Sequence, residues 1–72
     1  MTKIPRTKRR KVVKYFRSIG YAFARQGQKH EVFSRDGSLD LYIPRHAEIS
    51  PGVIRTLCDA AGVTPDDLLN SI

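Results

Sequence analysis

Between residues 21 and 43 the chain alternates with period two in three runs separated by turn residues, and this pattern confines it to antiparallel strands there. Tyr21, Phe23 and Arg25 alternate with Ala22 and Ala24, and a turn follows around Gly27-Gln28. His30, Val32 and Ser34 then alternate with Glu31 and Phe33. Asp36-Gly37 is a strong hairpin signal, and Leu39, Leu41 and Ile43 alternate with Asp40 and Tyr42 before Pro44 ends the run. Successive strand residues point to opposite faces. The pattern therefore predicts that Tyr21, Phe33, Leu39, Leu41 and Ile43 face a core, with His30, Val32, Ser34 and Tyr42 on the uncovered side.

The flanks have helical spacing. Thr7 is a fair N-cap for a helix whose apolar face is Val12, Phe16 and Ile19 with Val13 beside them; Gly20 is placed to end it in a left-handed turn. Tyr15 reads as a helix-surface aromatic, and basic side chains fill the rest of the circumference. Lys8 to Lys11 in the first turn oppose the helix dipole, which favours a binding role for them. A second helix starts with Ser50 as N-cap and Pro51 at the first position, carries Val53, Ile54, Leu57, Cys58 and Ala61 on one face, and stops at Gly62. Thr64 caps a final short helix with Asp66 and Asp67 at its start, and Leu68, Leu69 and Ile72 pack back on the body. The order is helix, three strands, helix, short helix: an α+β fold with both long helices on one face of a three-stranded antiparallel sheet. Residues 1–6 read as a flexible basic arm and residues 7–72 as a single domain. A chain of 72 residues buries only roughly 60% of its unfolded surface, so chemistry must sit on an open face or in a shallow notch.

Charge divides the chain. Residues 1–35 hold eleven Lys or Arg against the single acid Glu31, whereas residues 36–72 hold Arg45 and Arg55 against six acids; the net charge is +6. A positive front and a negative back suggest a polyanion on one side, with a merely solubilising surface as the plain alternative. Cys58 is the one cysteine, which excludes an internal disulfide and a multi-cysteine zinc site, favours a reducing cytoplasm, and fits a small buried hydrophobe. No apolar run approaches the roughly 18 residues of a membrane span, and Met1-Thr2-Lys3-Ile4-Pro5 has no signal-peptide core behind it.

Two histidines are the candidate chemical groups, and they are too few to converge as a metal site. His30 follows the first turn directly, and His46 follows Pro44-Arg45. Either could be an ordinary surface histidine. His30 also fits a ribonuclease, because RNA cleavage needs a base that takes the proton of a ribose 2′-hydroxyl, and imidazole can do this near neutral pH without metal. Lys29, Arg25 and Arg35 lie close in sequence and could steady phosphate charge, and Lys11 and Lys14 on the first helix could hold more of the strand. His46 reads as a strand-end contact that fixes the start of the second helix. Tyr42 could stack a base or pack across strands.

The order of motifs resembles the HicA family of toxins from type II toxin–antitoxin systems. Gly20-Tyr21, Arg25, Gln28-Lys29-His30-Glu31-Val32-Phe33, Ile43-Pro44-Arg45-His46, Ser50-Pro51-Gly52-Val53-Ile54 and Ala60-Ala61-Gly62-Val63 carry the likeness over about residues 7–68. The resemblance implies a double-stranded-RNA-binding-domain-like fold, messenger RNA cleavage without a cofactor or metal, His30 in the catalytic position, and silencing by a HicB-type antitoxin that covers the active face. It further implies a free toxin that is monomeric and a toxin–antitoxin complex that is oligomeric. Gln28-Lys29 stand where the family has Gly-Ser, and Glu31 where it has a second histidine. Duplex binding is not expected, since the second helix starts Ser50-Pro51-Gly52-Val53 and carries just Arg55; single-stranded RNA along the first helix and the outer sheet face is. A non-catalytic RNA- or DNA-binding module and an adaptor that recruits proteins are the alternatives to a toxin endoribonuclease.

Overall fold

The computed structural model describes residues 4–71. Its elements are β1 (Thr7–Lys8), α1 (Arg9–Ser18), β2 (Ala22–Gln26), β3 (His30–Ser34), β4 (Leu41–Pro44), β5 (Glu48–Ile49), α2 (Pro51–Ala61) and α3 (Pro65–Asn70). The strands β2-β3-β4 form an antiparallel sheet in sequence order, as the three alternating runs predict. Val12 and Phe16 from α1 and Ile54, Leu57 and Cys58 from α2 meet Tyr21, Phe33, Leu41 and Ile43 in one core, which Leu68 of α3 closes. Fully burying a side chain of this size contributes about 1.5–3 kcal/mol, so this cluster is the main favourable term in folding. Ile72 lies outside the described residues.

Local chemistry sets the ends of the elements. Ser50 Oγ accepts from the Val53 N–H and Thr64 Oγ1 from the Asp67 N–H, both the expected caps. Gly62 stops α2 at φ 75°. Gly20 takes φ 107°, and a Cβ there would also meet Arg35 Cδ at 3.0 Å, so glycine is required twice over.

Several expectations give way to tertiary contacts. Thr7 is not a cap: it pairs with Ile49 in a two-stranded β1–β5 sheet, its hydroxyl donates to the Pro5 carbonyl, and Lys8 precedes α1 with no side-chain cap. Neither β1 nor β5 is long enough to show a period in sequence. Ile4 packs partly buried against the core, so residues 4–8 are tied to the body. Tyr15 is buried rather than on the surface, because it joins the core cluster that holds Phe16, Cys58 and Leu68; its ring meets Phe16 edge-on at 5.2 Å between centroids. Leu39 is 68% exposed because β4 starts only at Leu41; the Leu39 carbonyl, not its side chain, is used, accepting from Tyr21 Oη at 3.1 Å. Val32 lies on the outer face with its cross-strand partners Arg25 and Tyr42 but is buried there.

A β-bulge between Phe23 and Arg25 changes the parity of β2. Phe23 pairs with Phe33 on the helix side, their rings edge-on at 5.8 Å, while Arg25 pairs with Val32 and so joins the outer face. The alternating pattern alone puts Arg25 on the same side as Phe23.

Arg35 is the polar hub of the fold. Its guanidinium donates to the Ile19 carbonyl at 2.8 Å, the Ala61 carbonyl at 3.1 Å and Ser38 Oγ at 3.0 Å, and lies 4.6 Å from the Tyr21 ring centroid. One side chain thus joins the C-terminal ends of α1 and α2, whose last carbonyls lack helical partners. Arg35→Ala should lower stability by about 2–3 kcal/mol, given charged hydrogen bonds and a cation–π contact, read as a lower urea midpoint with an unchanged m-value. Burial first, then Asp59 and Asp67, pushes the Cys58 thiol up to about 11. The native protein should therefore resist thiol-specific labelling at neutral pH, and denaturation should release one reactive thiol.

Candidate active site

Antiparallel pairing brings the β2–β3 turn and the end of β4 together, since His30 pairs with Pro44. The chain is fixed around His30 on both sides. The Gly27 N–H donates to the His30 carbonyl at 2.8 Å, and the Arg45 N–H donates to the Lys29 carbonyl at 3.3 Å. A side chain at position 27 would crowd that carbonyl, its Cβ lying 3.1 Å away, which explains glycine one step before Gln28-Lys29. His30 itself remains exposed.

His30 lines an open cleft of about 620 Å³. Lys29 and Pro44 border it from the sheet, His46 and Ala47 from the β4–β5 connection, Glu48 and Ile49 from β5, Ser50 and Val53 from the start of α2, and Arg6 from the segment before β1. Among the described residues, two permanent cations face one carboxylate here, and the positive end of the α2 dipole opens on the same space, so the cleft suits an anion. His30, Pro44, Ser50 and Val53 also border a second notch of about 360 Å³, which Tyr42 and Thr56 help to line.

Further grooves share lining residues with this pair. Ala47 and Glu48 are shared with a groove bordered by Lys8, Arg9 and Arg10; Arg9 and Arg10 are shared in turn with a groove along α1 lined by Lys14 and Arg17. The positions 10, 14 and 17 repeat at helical spacing, so their cations fall on one face. Grooves with shared lining residues thus succeed one another from the basic face of α1, by way of Ala47 and Glu48, to His30 and Tyr42.

The structure sorts the residues singled out from sequence. Lys29 shares the cleft with His30, and Lys14 lines the groove at the far end of this series. Arg25 is exposed on the outer sheet face, which also carries His30 and Tyr42. Lys11 is exposed on α1 but borders none of the grooves described. Arg35 is not brought to the cleft; its donors are engaged by the helix ends. Glu31, where the resembled family has a second histidine, points to the helix side and forms an ion pair with Arg9, whose Nε also donates to the Pro44 carbonyl at 2.9 Å. That pair places a carboxylate against the start of α1, offsetting the basic first turn.

Two cleft residues stand where sequence reasoning did not put them. Arg6 belongs to the supposed arm, and only the pairing of β1 with β5 draws it in. His46 does not make the structural contact expected of it: it is exposed and, among the described residues, its side chain makes no hydrogen bond. The neighbouring backbone does that work instead, through the Arg45 N–H and the Ala47 carbonyl, which accepts from the Arg9 N–H at 2.9 Å. The sequence singles out His46 as one of two candidate chemical groups, directly after Pro44-Arg45, but points to a structural role for it. Among the described residues, no group of three or more His, Cys, Asp or Glu side chains converges, and no helix is long and apolar enough to cross a membrane.

The family described as HicA toxin of bacterial toxin-antitoxin has a model that matches residues 9–63 of this chain. A comparison with curated proteins finds no match. The matched span runs from the start of α1 past the end of α2, includes His30 and His46, and accounts for most of the fold. The chain belongs to the HicA toxin family and is the toxin of a bacterial toxin–antitoxin pair.

Proposed function

We propose that this toxin is an endoribonuclease that cleaves messenger RNA, with His30 as the general base and acid of the reaction. One observation carries the reading: a backbone-fixed, exposed imidazole stands in a cation-lined cleft at the end of a series of basic grooves. His30 takes the proton of a ribose 2′-hydroxyl, and the oxygen then attacks the adjacent phosphorus. Lys29 and Arg6 offset the charge that builds on the phosphoryl oxygens. Arg10, Lys14 and Arg17 hold the strand upstream or downstream of the cut through its phosphates, with Lys11 and Arg25 as further contacts from α1 and the outer sheet face. Tyr42 in the adjoining notch offers a ring to an unpaired base. The open, shallow grooves suit single-stranded RNA.

Imidazole performs this proton transfer by itself, so the reaction needs neither metal nor cofactor. The antitoxin expected of the pair is a HicB-type protein that covers the cleft, and the assembled complex is oligomeric while the free toxin is a monomer. The setting is the bacterial cytoplasm, where messenger RNA is available.

His30→Ala should reduce RNA cleavage by roughly a hundred- to ten-thousand-fold and abolish growth arrest, with a thermal unfolding midpoint close to wild type, because the side chain is exposed. Wild-type cleavage should persist in chelator. Cleavage by His30→Ala at the wild-type rate would refute the reading, and wild-type protein that binds RNA without cutting it would favour a non-catalytic binding module. Lys14→Ala should weaken binding of single-stranded RNA irrespective of sequence and flatten the salt dependence by about 0.7 in log–log slope, the share of one phosphate contact.

A further inference from the structure

We propose that the acid half of that chemistry belongs not to His30 but to a second catalytic group, His46, which protonates the leaving 5′-oxygen while His30 acts as base alone. The assignment rests on the ribonuclease reading above. Displacement at phosphorus puts the attacking 2′-oxygen and the departing 5′-oxygen on opposite sides of the reacting atom. A single imidazole must serve both in turn, whereas two imidazoles from different elements can serve both at once. The cleft supplies that pair: His30 comes from the start of β3 and His46 from the β4–β5 connection, with Lys29 and Arg6 in the same cleft to meet the phosphate.

Three observations single out His46. Its side chain is exposed and, among the described residues, makes no hydrogen bond, so nothing structural occupies it. Its backbone is held from both sides, because the Arg45 N–H donates to the Lys29 carbonyl and the Ala47 carbonyl accepts from the Arg9 N–H. The first of these bonds joins the residue before His46 to the residue before His30, which ties the two histidine-bearing segments to each other. Finally, Glu31 faces away from the cleft in its ion pair with Arg9, so the position after His30 does not provide a second proton carrier.

The step balances without a further reactant. The 2′-oxygen loses its proton to the neutral His30 ring and bonds to phosphorus. The bond from phosphorus to the 5′-oxygen breaks, its electron pair stays on that oxygen, and the oxygen takes a proton from the His46 imidazolium. The products are a 2′,3′-cyclic phosphate and a 5′-hydroxyl, and solvent returns both rings to their starting states.

The test uses two versions of one oligoribonucleotide that the wild-type toxin cuts. One is natural, and the other carries sulfur in place of the bridging 5′-oxygen at the cut site, so the leaving thiolate needs no proton. His46→Ala and His46→Gln should lose roughly a hundred- to ten-thousand-fold on natural RNA yet fall within a few-fold of wild type on the sulfur-bridged strand. His30→Ala should be defective on both. Thermal melting of each variant, expected to match wild type, separates chemistry from folding. Histidine 46 variants that cut natural RNA normally, or that lose equally on both strands, would overturn the assignment while leaving the ribonuclease reading intact. Wild-type protein that cuts neither strand would refute the ribonuclease reading itself, and this assignment with it.

Discussion

Two short strands, far apart in sequence, decide where the chemistry of this protein stands. Thr7 pairs with Ile49 and Lys8 with Glu48, and the ladder continues into the Arg9 N–H, which donates to the Ala47 carbonyl. This pairing starts α1 without a capping side chain, seats the β4–β5 connection beside the sheet, and draws Arg6 to the cleft of His30 and His46. Backbone hydrogen bonds must be satisfied wherever they are buried, so a segment with no internal period still acquires one fixed place. Remove that tie and the cleft loses one wall together with the cation it carries.

The basic front half of the chain is not one uniform RNA-binding surface. Arg9 holds Glu31 and the Pro44 carbonyl, and Arg35 holds the carbonyl ends of two helices. Both are structural cations in a fold whose small core leaves a thin margin of stability. Among the described residues, the remaining cations of the front half are exposed and divide between the face of α1, the outer sheet and the cleft. Guanidinium suits the structural task because its planar fork meets several carbonyls at once, which an ammonium cannot do with the same geometry. Glu31 fits the same account. Set against the start of α1, it compensates the basic first turn that helix electrostatics disfavour.

The fold was largely legible because its elements advertise themselves locally. Ser50-Pro51, Gly62 and Thr64-Pro65 mark helix ends through hydrogen bonds within a few residues, and the alternating runs of β3 and β4 give the core partners Phe33, Leu41 and Ile43 directly. The misreadings lie where distant contacts override local pattern. Leu39 continues an alternating run yet stands exposed, because the loop after Gly37 has not rejoined the sheet. Tyr15 reads as a surface residue until the core cluster it shares with Cys58 and Leu68 takes it in. The bulge after Phe23 inserts a residue that no periodicity reveals, and it alone turns Arg25 to the side of His30.

For the site, the sequence by itself determined the imidazole at the start of β3, the adjacent Lys29, the basic face of α1 and the likeness to a toxin family, since each depends on residue type and near spacing. Only the tertiary structure decided that Arg35 is a strut, that Glu31 turns inward, and that Arg6 and His46 border one cleft with His30. The reason is physical. Residue type and period fix which way a side chain leaves its own element, but a cleft is made by elements that meet through long-range pairing, here Arg6, His30 and His46 across some forty positions of chain.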